Sequence, residues 1–241
     1  MLFRLGILFL LVPFSAYAQA GLAGHWEGTL PVPSGPSQLV LDIDKNARSE
    51  WIASLSLPQA QVSGLRVTNL RLEWPELRFE SPEVPNQPAF ALTWKAGKFT
   101  GSVSVKGYSI PFEMTRTGDA KVELPPSNPA VPKELEGDWE GAFALPGGGT
   151  RPIAVHFKNQ LDQTVAATLD SPSQGIRNLW LSIVELKGDA IYFALRGPGN
   201  TTNGSYKGAW NRSASELTGE WSQKQKPPSA PLPLVLKKKQ S

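Results

Sequence analysis

Residues 22–30 read LAGHWEGTL, and residues 135–143 read LEGDWEGAF. Both carry Leu, Gly, Trp, Glu and Gly at the same spacing, and the correspondence continues outward from them. Leu39, Leu41 and Ile43 face Ile153, Val155 and Phe157; Leu55 and Pro58 face Leu169 and Pro172. Leu70, Leu72, Leu77 and Phe79 face Val184, Leu186, Ile191 and Phe193. After a small insertion in the second copy, Gly101 meets Gly219, and Ile110-Pro111-Phe112 meets Leu232-Pro233-Leu234. A match sustained over this distance is an internal repeat, and the repeat decides the architecture.

Within each copy the apolar residues alternate with period two, as in Leu39-Val40-Leu41-Asp42-Ile43 and Trp51-Ile52-Ala53-Ser54-Leu55. Such alternation marks strands with one face buried. No stretch keeps a helical period for three turns, and the 22 Gly and 22 Pro fall as often as hairpin turns require. The first copy then has strands near 24–30, 38–43, 51–57, 64–67, 69–73, 77–80, 89–94, 99–105 and 109–115. The segments at 64–67 and 69–73 read as one strand whose inward face switches at a bulge near Asn69. The expected fold is all-β: two tandem antiparallel up-and-down barrels of about eight strands each, with a pair of β-sandwiches as the alternative.

The chain divides accordingly. Residues 1–18, MLFRLGILFLLVPFSAYA, set Arg4 before an apolar run and end on Ala16-Tyr17-Ala18, the pattern of a secretory signal peptide. The run Leu5–Phe14 is about half of the roughly 20 residues that a membrane helix needs, so no transmembrane segment is expected. The first barrel repeat occupies 21–117 and the second 135–239. Between them, 118–134 (GDAKVELPPSNPAVPKE) reads as a stiff, extended Pro-rich linker. There is no cysteine, which removes disulfides, thiolate nucleophiles, Cys-based metal sites and the lipidated cysteine of a lipoprotein. A chain exported to the periplasm or beyond the cell without disulfides must rely on its apolar cores. The charge is mildly basic, 24 Lys+Arg against 21 Asp+Glu, with part of the excess in Lys237-Lys238-Lys239. Without aromatics interleaved among basic residues, nucleic acid is not an expected partner.

The inventory for chemistry is thin. His25 and His156 each alternate onto the outward face of a strand and have no partners at metal-ligand spacing, so no metal, cofactor or catalytic role is assigned to them. Glu27 and Glu140 recur in both copies but lie opposite the tryptophan face, in separate repeats, as surface charges. Asp170-Ser171 reads as turn chemistry, since the first copy has Ser56-Leu57 there. GPGNTTNGS, 197–205, lacks the Gly-Lys-Ser/Thr ending of a phosphate loop and reads as a mobile hairpin loop. No catalytic residue emerges, and the protein is not expected to be an enzyme.

Tryptophans say more. Trp26 and Trp139 correspond, as do Trp94 and Trp210, and all have inward parity as core residues. Two differ between copies: Trp74 stands in the turn EWPE where the second copy has KGDA, and Trp180 takes an outward slot held by Arg66. These two are the candidate contacts for a ligand or partner, unless a loop or the other repeat shields them.

Gly-x-Trp on the first strand with a basic residue on the last resembles the calycin arrangement of lipocalins and avidins. In that family the cation lies over the indole, which here implies Arg116 with Trp26 and Lys238 with Trp139 as structural anchors. The second copy, with WEG, ATLDSPSQG (167–175), LTGEWSQ (217–223) and PLPLVLKK, is also similar to a repeat found ahead of α/β-hydrolase domains in exported bacterial proteins. That repeat has no established activity of its own. The first copy departs from it, with ASLSLPQAQ at 53–61, and no Gly-x-Ser-x-Gly nucleophile elbow follows. The resemblances imply a non-catalytic, monomeric binding or interaction module. Its partner would be a small apolar ligand in a barrel or another exported protein, such as a secreted hydrolase that it accompanies.

Overall fold

Alternation from Gly24 onward puts Trp26 on one face and His25 and Glu27 on the other, and burial follows that parity: Trp26 and its counterpart Trp139 are each 0% exposed. The structure is a computed structural model that describes residues 21–32, 35–84, 86–145, 148–224 and 230–239. The expected signal peptide at 1–18 lies outside the described residues. The first repeat forms β1 (Gly24–Val32), β2 (Gly35–Lys45), β3 (Trp51–Leu57), β4 (Val62–Arg66), β5 (Thr68–Glu73), β6 (Glu76–Glu80), β7 (Ala89–Lys95), β8 (Lys98–Val105) and β9 (Tyr108–Gly118). The second forms β10 (Gly137–Ala144), β11 (Thr150–Asn159), β12 (Val165–Ser171), β13 (Ile176–Trp180), β14 (Ile183–Lys187), β15 (Ala190–Arg196), β16 (Thr202–Asn211), β17 (Glu216–Gln223) and β18 (Leu232–Lys238).

Each set makes one antiparallel nine-stranded sheet, ordered β4-β3-β2-β1-β9-β8-β7-β6-β5 and β13-β12-β11-β10-β18-β17-β16-β15-β14. The two edges of the first sheet, β4 and β5, are successive pieces of one strand parted only at Val67. In the second, Leu181 N donates to Ala167 O of β12, and the next amide, Ser182 N, donates to Ala194 O of β15. One seam strand therefore serves both ends of each rolled sheet, the economy of an up-and-down barrel that leaves little free edge. The expected bulge is present: the β5–β6 register slips between Thr68 and Arg71, with Asn69 at φ 51°, a left-handed value that Asn tolerates better than most residues.

Large side chains occupy both interiors. In the first, Trp26 meets Phe99 edge-on at 4.7 Å between ring centroids, and Phe79 stacks on Phe90 at 4.4 Å. In the second, Phe193 stacks on Tyr206 at 4.7 Å, and burial pushes the Tyr206 phenol well up from its ordinary range. The leucine that opens each quoted stretch closes one end of its barrel. Trp26 Nε1 donates to Leu22 O at 3.0 Å and Trp139 Nε1 to Leu135 O at 2.8 Å. Beside them, Arg116 Nε donates to Ala23 O at 3.1 Å and Lys238 Nζ to Glu134 O at 2.6 Å. The Lys238 ammonium also stands 6.0 Å from the Trp139 ring centroid. Arg116 faces Trp26 in register, but its Nη2 turns to Asp119 at 3.0 Å.

Most of the segment 119–134 is irregular, yet it is pegged at several points. Lys121 N donates to Asp42 Oδ1 at 2.8 Å and Glu123 N to Ser54 Oγ at 3.1 Å on the first barrel. Buried Asn128 then accepts from Val165 N at 2.8 Å and, through Oδ1, from Val184 N at 2.9 Å on the second. These bonds satisfy backbone and amide groups, and Val131, near the end of the segment, packs into the second barrel's core.

Candidate functional site

With the interiors filled by aromatic and aliphatic side chains, polar chemistry is confined to the outer faces and to the junction between the barrels. On the outer faces the charged residues pair locally. His25 Nδ1 is hydrogen-bonded to Asp42 Oδ1 at 2.8 Å, directly across β1 and β2. In the second barrel the partners are exchanged: Asp138 lies on β10 and His156 on β11, with His156 Nδ1 2.7 Å from Asp138 Oδ1. A reciprocal swap of this kind keeps a cross-strand pair while reversing its ends. It was readable in the alignment, where His25 meets Asp138 and Asp42 meets His156.

Asp42 is the buried member of its pair and also accepts from Lys121 N, so it ties the linker to the sheet. Replacing Asp42 with alanine leaves both donors without that acceptor, with an expected cost of about 1–3 kcal/mol. Hydrogen exchange should show the Lys121 amide losing protection in Asp42→Ala and keeping most of it in Asp42→Asn.

The other carboxylates bond locally, and Asp170 Oδ2 also lies 3.6 Å from His156 Nε2. Glu27 accepts from Thr117 Oγ1 at 3.0 Å, and Glu140 accepts from Lys239 Nζ at 2.8 Å, a bond that raises the lysine's pKa. Asp170 Oδ1 accepts from Asn178 N at 2.6 Å, while the hydroxyl of its neighbour Ser171 donates to Gln174 Oε1 at 2.9 Å. Asp170 and Ser171 thus point to opposite uses. Among the described residues there is no cluster of three or more His, Cys, Asp or Glu that could hold a metal ion.

Trp74, at the β5–β6 turn, is 42% exposed, with its ring 6.0 Å from Trp94. Trp180 is half-buried at the junction, where it meets the residue it replaces: the Arg66 guanidinium carbon lies 6.0 Å from the Trp180 ring centroid. The contacts around them are reciprocal. The loop after β6 sends Gln87 Nε2 to Asn178 O of β13 at 2.9 Å. Around the corresponding hairpin of the second barrel, Arg196 Nη1 donates to Ser63 O and Gly64 O of β4, each at 2.9 Å. Gly64 and Asn178 hold matching places in their seam strands, both with positive φ, 62° and 52°. Each barrel therefore grips the same carbonyl of the other, the pattern of an isologous dimer formed within one chain.

The 197–205 stretch, expected to be a mobile hairpin loop, is docked instead. Gly199 N donates to Gln61 O at 2.6 Å, and Asn200 Oδ1 accepts from Ser63 N at 3.1 Å. The second copy's small insertion is thereby spent on the junction.

At the centre lies Glu83, whose side chain is only 2% exposed. Its Oε1 accepts from Arg66 N at 3.2 Å, and its Oε2 accepts from Ser182 Oγ at 3.1 Å and lies 3.5 Å from Arg196 Nε. One buried carboxylate thus stands between a guanidinium from each barrel. Desolvation lowers the Arg66 pKa, Glu83 opposes that shift, and nearby Arg196 adds to it. Neither Glu83 nor Arg196 stood out in the sequence, because each is a single charge at a strand end, one just after β6 and the other closing β15.

A groove of about 540 Å³ opens beside this centre. Arg66, Asn69 and Glu80 contribute from the first barrel, and Gln160, Asp162 and Trp180 from the second. Behind its wall Arg66 Nε, 3.9 Å from Glu83 Oε1, and Trp180 Nε1 are closed to solvent and make no hydrogen bond among the described residues. The Thr164 hydroxyl, donating at 2.6 Å, holds the Asp162 carboxyl below its ordinary range.

Fold and junction together define a tandem all-β protein of two antiparallel barrels clasped through a reciprocal interface. No family model and no curated protein matches the chain. Among solved structures, it is similar at 11% identity and a TM-score of 0.26 to a protein of unknown function of the DUF3598 family from Nostoc punctiforme PCC 73102, over 90% of this chain and 94% of that one. A “putative outer membrane protein” from Bacteroides fragilis NCTC 9343 is similar at 16% identity and a TM-score of 0.22, over 90% of this chain and 95% of that one. Among the described residues, no helix is long and apolar enough to cross a membrane.

Proposed function

We propose that this is an exported, non-catalytic binding module whose two barrels serve as a rigid scaffold and whose recognition site is the groove at their junction. The observation that carries the reading is the contrast between filled barrels and a groove at their junction lined by charged, amide and indole side chains of both. The signal at 1–18 supports export, and the calycin-like Trp-plus-cation anchors support a scaffold role for the shared residues.

Carriage of an apolar molecule inside a barrel becomes the weaker alternative, because Trp26, Phe79, Phe90 and Phe99 already occupy that space in the first barrel. Native mass spectrometry of protein purified from its own host separates the two: an adduct retained by wild type and lost in Trp180→Phe supports the junction, and one indifferent to that change returns recognition to an interior. Chromogenic ester, glycoside and phosphate substrates are expected to show no turnover. Turnover abolished by His156→Ala would overturn the non-catalytic reading.

A further inference from the structure

We propose that the outer strip of the second barrel running from Asp138 to Trp180 binds an extended, proline-ended peptide segment of a partner protein, one that carries an acidic residue. The first barrel shows how such a strip is filled. His25, Asp42, Ser54 and Arg66 lie side by side across β1, β2, β3 and β4. The segment 119–126 crosses this row. Its Lys121 and Glu123 amides donate to Asp42 Oδ1 and Ser54 Oγ, and Pro126 O accepts from Arg66 Nη2 at 2.8 Å. Amides at alternate positions face one way in an extended chain. Under this cover Asp42 is 5% exposed and Ser54 1%.

The second barrel repeats the row, and among the described residues no segment is pegged across it. Asp138, His156, Thr168 and Trp180 are in register across β10, β11, β12 and β13, in the places of His25, Asp42, Ser54 and Arg66. The side chains of Asp138 and His156 stay 53% and 33% exposed. The acceptors for a peptide backbone persist. Thr168 brings a hydroxyl where Ser54 has one, and His156 stands between the carboxylates of Asp138 and Asp170, at 2.7 and 3.6 Å, in place of the single Asp42.

Where the two strips differ, the differences name the occupant. In the first barrel Ser63 Oγ donates to Glu123 Oε2 at 2.7 Å, and a Cβ on Gly64 would lie 2.9 Å from Glu123 O. In the second barrel Arg177 and Asn178 hold those two places. Asn178 keeps a peptide backbone farther out, and the longer Arg177 side chain spans the added distance to a carboxylate. That side chain is 71% exposed and only 3.8 Å from Asp170 Oδ2, and a guanidinium has donors for both acids.

The row ends on Trp180, which also lines the junction groove, so prolines at the end of the peptide come down on an indole, as Pro-rich segments do in aromatic-lined grooves. The proposal therefore rests on the reading of the groove as the recognition site and adds the face that leads into it. A second copy is a poorer occupant, because its own 119–126 segment is already pegged to its first barrel.

The test is titration of the full ¹⁵N-labelled chain with a capped synthetic peptide DAKVELPPS, the sequence of residues 119–127, followed by NMR. Amides around His156, Thr168 and Arg177 are expected to move saturably together with the Trp180 indole, with a Kd of about 1 mM or tighter. Thr168→Val removes the hydroxyl and should weaken binding about 3- to 10-fold, the loss of one hydrogen bond. Arg177→Gln should weaken it comparably, yet leave unchanged the binding of a peptide with glutamine in place of its glutamate, the mark of a direct pair. No saturable movement on β11, β12 or β13 up to about 5 mM overturns the proposal. So does unchanged affinity in both variants, or movement confined to β2, β3 and β4, which would mean exchange with the chain's own segment. If the strip amides shift when the free protein is concentrated without peptide, a second copy covers the strip and the proposal falls. The groove reading fails separately: a peptide that moves the strip but not Asn69 and Glu80 supports the proposal and takes recognition out of the groove. Movement of those two alone overturns the proposal and leaves the groove standing.

Discussion

Glu83→Ala is expected to uncouple the two barrels, removing about 3–5 kcal/mol from the interaction that holds them together. The size follows from what remains. Arg66 and Arg196 approach the same carboxylate from different barrels, with side chains only 23% and 14% exposed, and without it two partly desolvated cations face each other. Breaking a buried ion pair by deleting one partner costs far more than forming it gains, because desolvation of the survivors is no longer offset. The Ser182 hydroxyl and the Arg66 amide lose their acceptor in the same step.

Glu83→Gln keeps the shape and one acceptor but not the charge, so its loss should be intermediate. In urea, wild type should unfold in one transition and Glu83→Ala in two. ¹⁵N relaxation should show the barrels of the variant tumbling semi-independently while hydrogen exchange inside each barrel is unchanged. A single wild-type-like transition with common tumbling would mean that Glu83 does not hold the junction.

The barrels were legible in the sequence because one principle governs every strand. Alternation places Leu39, Leu41 and Ile43 inward whether or not their neighbours are known, and the expected strands differ from those found by a few residues at their ends. The split seam strand was visible for the same reason: the inward face changes parity near Asn69, and a bulge is the usual cause.

The junction was not legible, because its bonds join residues such as Arg196 at the end of β15 and Ser63 of β4, 133 positions apart, and strand periodicity does not tell which outer faces meet. GPGNTTNGS has the composition of a turn whether that turn faces water or another barrel, so its docking on Gln61 and Ser63 left no local mark. Trp180 was singled out because it disagrees with Arg66, and disagreement between copies did point to the interface. It gave no hint that the two disagreeing residues would meet each other.

The second large effect is expected at Trp139. Trp139→Ala should destabilise the second barrel by about 3–5 kcal/mol, the usual cost of emptying an aromatic core position that cannot collapse. The ring is wholly buried, its N–H satisfies the Leu135 carbonyl that closes the barrel end, and the Lys238 ammonium sits over its face. Trp139→Phe isolates one of these contributions: the interior stays largely filled, Leu135 O loses its donor, and the cost should fall to about 1–2 kcal/mol.

Two residues on, Gly141 tests the same strand from the backbone side. A Cβ there would run into the Val235 carbonyl oxygen, so Gly141→Ala must push β10 away from β18. Urea denaturation should rank the losses, with Trp139→Ala well above Trp139→Phe. Hydrogen exchange should place the damage from Gly141→Ala on the amides shared by β10 and β18, leaving β1 and β9 protected. If Trp139→Ala cost no more than removal of the half-exposed Trp74, the Trp-Glu-Gly stretch would not be the anchor of its barrel. Its recurrence at 26–28 and 139–141 would then need a cause other than packing.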